Sequence, residues 1–208
     1  MARTLCLRCQ RPEIACICHL IVTLDNKIDV AVLQHPTEVS QAKGTVTLLH
    51  QSLNLSQVLV GEDFTQDENF TRLLTKYEGK LALLYPSEDA IEVDYLSNDK
   101  RISKNANVDL MVEIRCIIIL DGTWKKAYRM FMVNKALHTL PHIVLPQSLE
   151  GNYDIRKTKK SHALSSLEAC CHALARLENN PDMYQSLLDN FIKFNQFQLS
   201  FRHKEQKN

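Results

Sequence analysis

Short apolar runs alternate along this chain with segments in which apolar residues recur every three or four positions. "KIDVAVLQ" precedes "AKGTVTLLHQSL", "QVLVG" precedes "NFTRLLTKY", "KLALLYP" comes next, "RCIIIL" precedes "TWKKAYRMFMVNKAL", and "HIVLP" leads into a polar stretch. The runs are continuously apolar rather than alternating, which predicts strands buried on both faces. Strands followed by helices predict an α/β fold: a mostly parallel sheet flanked by helices. The C-terminal third changes character. In "SSLEACCHALARLENNP", Ser165 and Glu168 have capping-box spacing, and Leu167, Cys170, Cys171, Leu174 and Leu177 share one helical face. Asn179, Asn180 and Pro181 end that helix. A second helix, carrying Tyr184, Leu187, Leu188, Phe191, Ile192 and Phe194 on its apolar face, is expected to dock on the body, with the tail "RHKEQKN" frayed.

The residues just after each strand are more informative than any single motif. His35, Pro36, Thr37 and Glu38 come after the first run, and Pro86 and Ser87 after "LALLY". Asp121, Gly122, Thr123 and Trp124 come after "CIIIL", and Pro146, Gln147 and Ser148 after "HIVL". In open parallel sheets ligands bind outside the carboxyl ends of the strands, so these turns are expected to meet around one site. Asp121 and Thr123 are both candidate caps for the next helix, where one suffices. Trp124, the chain's only tryptophan, is large for a first helical turn. His35, His50, His138 and His142 read as structural or surface residues. Neither a P-loop nor a G-x-G-x-x-G is present, and five glycines are too scattered to cradle a pyrophosphate.

With 208 residues, 45% of them hydrophobic, the chain suits one medium domain with appendages. A formal charge of +1 gives no global field for nucleic acid, so any such affinity must be local. Arg156, Lys157, Lys159, Lys160 and His162, near Tyr153, form a basic loop able to hold phosphates without reading sequence; Lys125, Lys126 and Arg129 extend it. "MARTLCLRCQ" lacks the apolar core of a signal peptide, and no run approaches the roughly 20 apolar residues of a bilayer span. A cytoplasmic protein without membrane or evident protein partners is expected. Seven cysteines are poor disulfide material there. Cys6, Cys9, Cys16 and Cys18 form a C-x2-C and a C-x-C, which suits a structural zinc ion; free thiols and redox sensing are the alternatives. Cys116, Cys170 and Cys171 read as core. The expected organisation is a Cys-rich segment at 1–25, a catalytic domain at 26–180, and a C-terminal helix and tail at 181–208.

Asp121-Gly122-Thr123-Trp124 resembles the D-x-T-W signature of the DTW-domain family. The N-terminal cysteine set, "LQHPTE" with Lys43 and Thr45, "LYPSEDA", "ILDGTW" and "YDIRK" followed by "LSSLEA" resemble the family's blocks in order, over residues 6 to 178. The likeness is greatest to the bacterial tRNA-uridine aminocarboxypropyltransferase branch. Ser166 departs from an expected Thr but keeps the hydroxyl. The resemblance implies a SPOUT-like fold with a knotted C-terminal cofactor site. It also implies transfer of the 3-amino-3-carboxypropyl group from S-adenosylmethionine to N3 of a tRNA uridine, at position 47 by family expectation, releasing methylthioadenosine. Implied cofactor contacts are Pro86, Ser87, Asp121, Gly122, Thr123, Trp124, Tyr153, Arg156 and Ser165. Lys125, Arg156, Lys157, Lys159 and Lys160 would hold RNA. Asp121 is expected to act as a base or to orient the cofactor's amino group, and Trp124 to wall the cofactor or stack on the extruded uracil. A ribosomal RNA target, a SPOUT methyltransferase and a noncatalytic RNA-binding module are the competing readings.

Overall fold

Two strands with apolar interiors lie at the middle of the molecule, β1 (Asp29–Gln34) and β5 (Cys116–Asp121), paired in parallel from Asp29 opposite Cys116 to Gln34 opposite Asp121. The computed structural model describes residues 4–94, 114–149 and 164–205, with side chains to 201. Around this pair stand β2 (Ser56–Val60), β3 (Leu81–Leu84), β4 (Ile91–Glu92) and β6 (His142–Val144), in the order β2-β1-β5-β3-β6-β4. Every strand pairing of this sheet is parallel. The sequence pattern assigns no strand at β4: a two-residue run carries too little periodicity to be seen, and only pairing with β6 defines it.

Side chains alternate across a strand, so the pleat sorts the core into two halves. Val30, Val32, Ile117 and Ile119 face one cluster with α1 (Val46–Ser52), α4 (Ser166–Leu177) and α5 (Gln185–Glu205). Ala31, Leu33, Cys116, Ile118 and Leu120 face the other, with α2 (Glu68–Lys76) and α3 (Trp124–Val133). The continuous apolar runs result from that double coverage. Cys116, Cys170 and Cys171 are buried, as their apolar context predicts.

Ser165 caps α4 through its hydroxyl while Glu168 returns a carboxylate to the Ser165 N–H, completing the capping box. That helix ends at Leu177, where Asn179 adopts a left-handed φ of 50°. Tyr184, Leu187, Phe191 and Phe194 of the C-terminal segment are buried. Ile192, expected on the same face, is exposed: its position falls outside the stripe that Phe191 and Phe194 define. The helix also continues to Glu205, past the point where fraying was expected. Its docking partners are the N-terminal turns: Asn190 donates to the Leu20 carbonyl at 3.0 Å, and Phe197 meets His19 edge-on. No helix among the described residues is long and apolar enough to cross a membrane.

Candidate active site

Residue parity decides where Asp121 points. As the last residue of β5 it follows Ile117 and Ile119 onto the face covered by α4, and the parallel register sets it beside Gln34 at the end of β1. Gln34 donates from Nε2 to Asp121 Oδ2 at 3.0 Å, and Ser166, the first residue of α4, donates from Oγ to Oδ1 at 2.8 Å. Asp121 is only 7% exposed, yet it lines an open cleft.

The choice between the two caps is settled by geometry. Thr123 caps α3, its hydroxyl accepting from the Lys126 N–H at 3.4 Å. Asp121 lies in the strand and leaves that role to Thr123. Gly122 separates them because the turn passes close to its neighbours: a Cβ there would stand 3.1 Å from the Lys126 Cβ and 3.7 Å from that of His35. Lys126 folds back across this turn to bind Glu38 at 2.7 Å and Thr37 at 2.6 Å, which ties α3 to the end of β1. His35 accepts from the Thr37 N–H and approaches Glu62 at 3.5 Å, so it is engaged in the turn.

The cleft encloses about 500 Å³, within the usual range for small-molecule sites. Leu84, Ile119, Ile143, Leu145, Leu149 and Leu164 form apolar walls, and Glu38, Lys43, Thr45, Asp121, Thr123, Ser165 and Ser166 bring polar groups to it. Pro86, Gly122 and Trp124 also line it. Trp124 is 57% exposed and so stands at the mouth rather than in the core. Ser87 is not among the lining residues; its hydroxyl is hydrogen-bonded to His142 Nδ1 at 2.8 Å, which turns it toward the neighbouring strand. The resemblance implied Ser87 as a cofactor contact; in the structure its hydroxyl is engaged by His142. Lys125 is exposed on α3. Tyr153, Arg156, Lys157, Lys159 and Lys160 lie outside the described residues.

Gln34, Lys43, Thr45 and Tyr85 belong to the site without having been singled out as site residues. Gln34 reads as one more strand residue until the register puts it opposite Asp121. Lys43 and Thr45 lie on a connection whose return to the cleft depends on tertiary contacts. One such contact comes from the N-terminal segment: Arg11 donates to the carbonyls of Ala42 at 2.6 Å and Gly44 at 2.8 Å.

Arg11 belongs to the loop between the two cysteine pairs. The sulfurs of Cys6, Cys9, Cys16 and Cys18 all lie within 4.8 Å of one another, with 3.5 Å from Cys6 to Cys18, 3.6 Å from Cys16 to Cys6 and 3.9 Å from Cys9 to Cys16. Four thiolates around one tetrahedral ion at a metal–sulfur distance of about 2.3 Å would stand about 3.8 Å apart. The donor set therefore fits a metal ion. The N–H groups of Cys9 and Arg8, and after them the neighbouring thiols, draw the Cys6 thiol down to about 6, whereas desolvation and the adjacent sulfurs push Cys18 up to about 12. Such crowding opposes four thiolates without a cation between them.

The model of the DTW domain matches residues 3–199. The chain is 27% identical over 191 residues to a protein of Drosophila melanogaster named tRNA-uridine aminocarboxypropyltransferase 2, covering 89% of this chain and 71% of that one. Proteins of the same name from Macaca fascicularis and Mus musculus are also 27% identical over 198 residues, covering 93% of this chain and 63% of theirs. No solved structure matches the chain. By a match that takes in the cysteine cluster, every strand of the sheet and the cleft at their carboxyl ends, the chain belongs to the DTW-domain family.

Proposed function

We propose that this protein transfers the 3-amino-3-carboxypropyl group of S-adenosylmethionine to N3 of a tRNA uridine, the reaction class named in its relatives. The observation that carries the reading is a buried carboxylate at the end of β5, held by two donors inside a cleft of about 500 Å³. When bound, S-adenosylmethionine supplies a sulfonium that activates each of its three attached carbons toward a nucleophile. The protein must therefore choose the carbon by placement.

Asp121 is suited to that choice. Gln34 and Ser166 orient both carboxylate oxygens, and the negative charge so held attracts an ammonium from a defined direction. This favours orienting the donor's amino group over abstracting a proton. The apolar walls accept a nucleoside, and Trp124 and Pro86 close the mouth side. Uridine N3 is a weak acid, and its anion must be stabilised as the proton leaves to solvent. Lys43, which lines the cleft, supplies positive charge for that role. The basic residues Arg156, Lys157, Lys159 and Lys160 hold tRNA phosphates together with Lys125; Leu149 and Leu164, on either side of that segment, both line the cleft. A knotted SPOUT-type site is part of this reading, and the return of the chain to the end of β5 at Ser166, after β6 two strands away, supports it. Zinc is the ion suited to four closed cysteine ligands, and it braces the segment carrying Arg11.

The test is paired labelling. Purified protein is incubated with an unmodified tRNA transcript and S-adenosylmethionine labelled either in the aminocarboxypropyl chain or in the methyl group, and the nucleosides are identified by mass spectrometry. Chain label on uridine at position 47 is expected. Methyl label in tRNA would establish a methyltransferase instead, and chain label absent from tRNA but present on ribosomal RNA in a parallel incubation would move the target.

A further inference from the structure

Trp124 is the first of a series of rings on the outer side of α3. Tyr128 stands four residues later and is 58% exposed, so the two aromatics share one helix face. Phe131 continues that face and stacks on Tyr85, with centroids 4.6 Å apart and planes 16° from parallel. His138 covers the next part of Phe131 at 4.3 Å and is held there by a 2.8 Å hydrogen bond between Nε2 and the Phe131 carbonyl. Burial, and then the charge of the Tyr128 phenolate, push the Tyr85 hydroxyl pKa upward. Tyr85 and Trp124 both line the cleft. Rings thus stand both at the cleft, on Trp124 and Tyr85, and farther along the same helix face, on Tyr128 and Phe131.

This arrangement is not what core packing alone produces. Met130 and Ala127 are the residues that α3 buries against the sheet. Phe131 and Tyr85 pack at the edge of that buried face, whereas Trp124 and Tyr128 stand clear of it, and Lys125, Arg129 and Lys135 are exposed on the same helix and the turn after it. Rings interleaved with cations form the usual platform for single-stranded nucleic acid, in which bases stack and phosphates are neutralised. A base extruded into the cleft leaves its neighbours unstacked as well, and these need a surface.

Resting on the proposed tRNA reaction, we propose that Tyr128, with Trp124 and the Tyr85–Phe131–His138 stack, is a platform on which nucleotides flanking the target uridine stack. It binds RNA before and independently of group transfer. Because every base has a π-face, the platform tolerates sequence, and it selects RNA that is locally single-stranded over continuous helix.

The experiment measures binding of unmodified tRNA transcript to the full-length protein without cofactor, using the fluorescence of the single tryptophan, Trp124. Wild-type fluorescence is expected to be quenched on binding. Tyr128→Ala should weaken tRNA affinity roughly 5- to 100-fold, while Tyr128→Phe, which keeps the ring, binds like wild type. The KM for S-adenosylmethionine and the melting temperature should be unchanged, since the position is exposed. Wild-type affinity in Tyr128→Ala would overturn the proposal. So would a wild-type dimer in sedimentation that Tyr128→Ala dissociates, because the rings would then belong to a contact between copies. Tyr128-dependent RNA binding without aminocarboxypropyl transfer would sink the proposed reaction and leave the platform standing; transfer indifferent to Tyr128 would do the reverse.

Discussion

Replacing Asp121 in two ways separates its charge from its shape. In Asp121→Ala the Gln34 amide, itself buried, loses its acceptor, while Ser166 is only half-buried and can turn toward water. One buried donor left without a partner costs about 2 kcal/mol, or about 4–8 °C in melting temperature for a chain of this size. Asp121→Asn should behave differently. The Gln34 amide can flip so that its oxygen accepts from Asn Nδ2, and Ser166 still donates to Asn Oδ1, so stability should stay within about 1 kcal/mol of wild type. The negative charge is nevertheless gone. If that charge anchors the donor's ammonium, losing a charge-assisted hydrogen bond worth about 1.5–3 kcal/mol lowers kcat/KM about 10- to 150-fold. Thermal melts and steady-state transfer to tRNA measure the two effects separately. A stable, fully active Asp121→Asn would refute the anchoring role, and a variant as unstable as Asp121→Ala would make the carboxylate a structural fixture.

Ser166→Ala should lower kcat with little change in melting temperature, and Ser166→Thr should restore it, because only the hydroxyl that orients Asp121 is required; equal rates in all three would contradict this. Arg11→Ala frees the Ala42 and Gly44 carbonyls and should raise the KM for S-adenosylmethionine several-fold, by about 1 kcal/mol, through the rim that carries Lys43 and Thr45. An unchanged KM would show the rim to be rigid without Arg11. One zinc ion per chain is expected by elemental analysis, and Cys9→Ser should release it and lower the melting temperature, since Cys9 is buried in the core cluster; metal-free protein with an unchanged melt would remove the site. Burial holds the His50 and His172 imidazoles below their ordinary range, with Arg176 adding to the effect at His172. The unfolded chain therefore binds more protons as pH falls through about 6.5, and stability should drop there. His172→Gln should flatten that decline, and an unaltered slope would exclude His172 as a contributor.

The fold was legible where burial leaves a period or a run. Cys116 to Leu120 is apolar throughout because both faces of β5 are covered, and the Ser165–Glu168 capping box appears at its predicted place. β4 was hidden by its length, and Ile192 was misplaced because helical spacing alone does not fix where a stripe ends. The site was legible as a set of strand ends, which brought Asp121, Thr123, Trp124 and Pro86 to one cleft. Its contacts were not. Gln34 meets Asp121 through a parallel register between strands far apart in sequence, and Ser87 turns to His142 because β6 lies beside β3. Such pairings are set by tertiary assembly, and local pattern carries no trace of them.

The most direct test of the proposed chemistry is a crystal structure with S-adenosylmethionine or methylthioadenosine bound. Density for the ligand between Leu84, Ile119 and Leu164, with the S-adenosylmethionine amino group within hydrogen-bond reach of Asp121, is the predicted result. Ligand bound elsewhere on the protein, or in the cleft with its amino group turned away from Asp121, would contradict it.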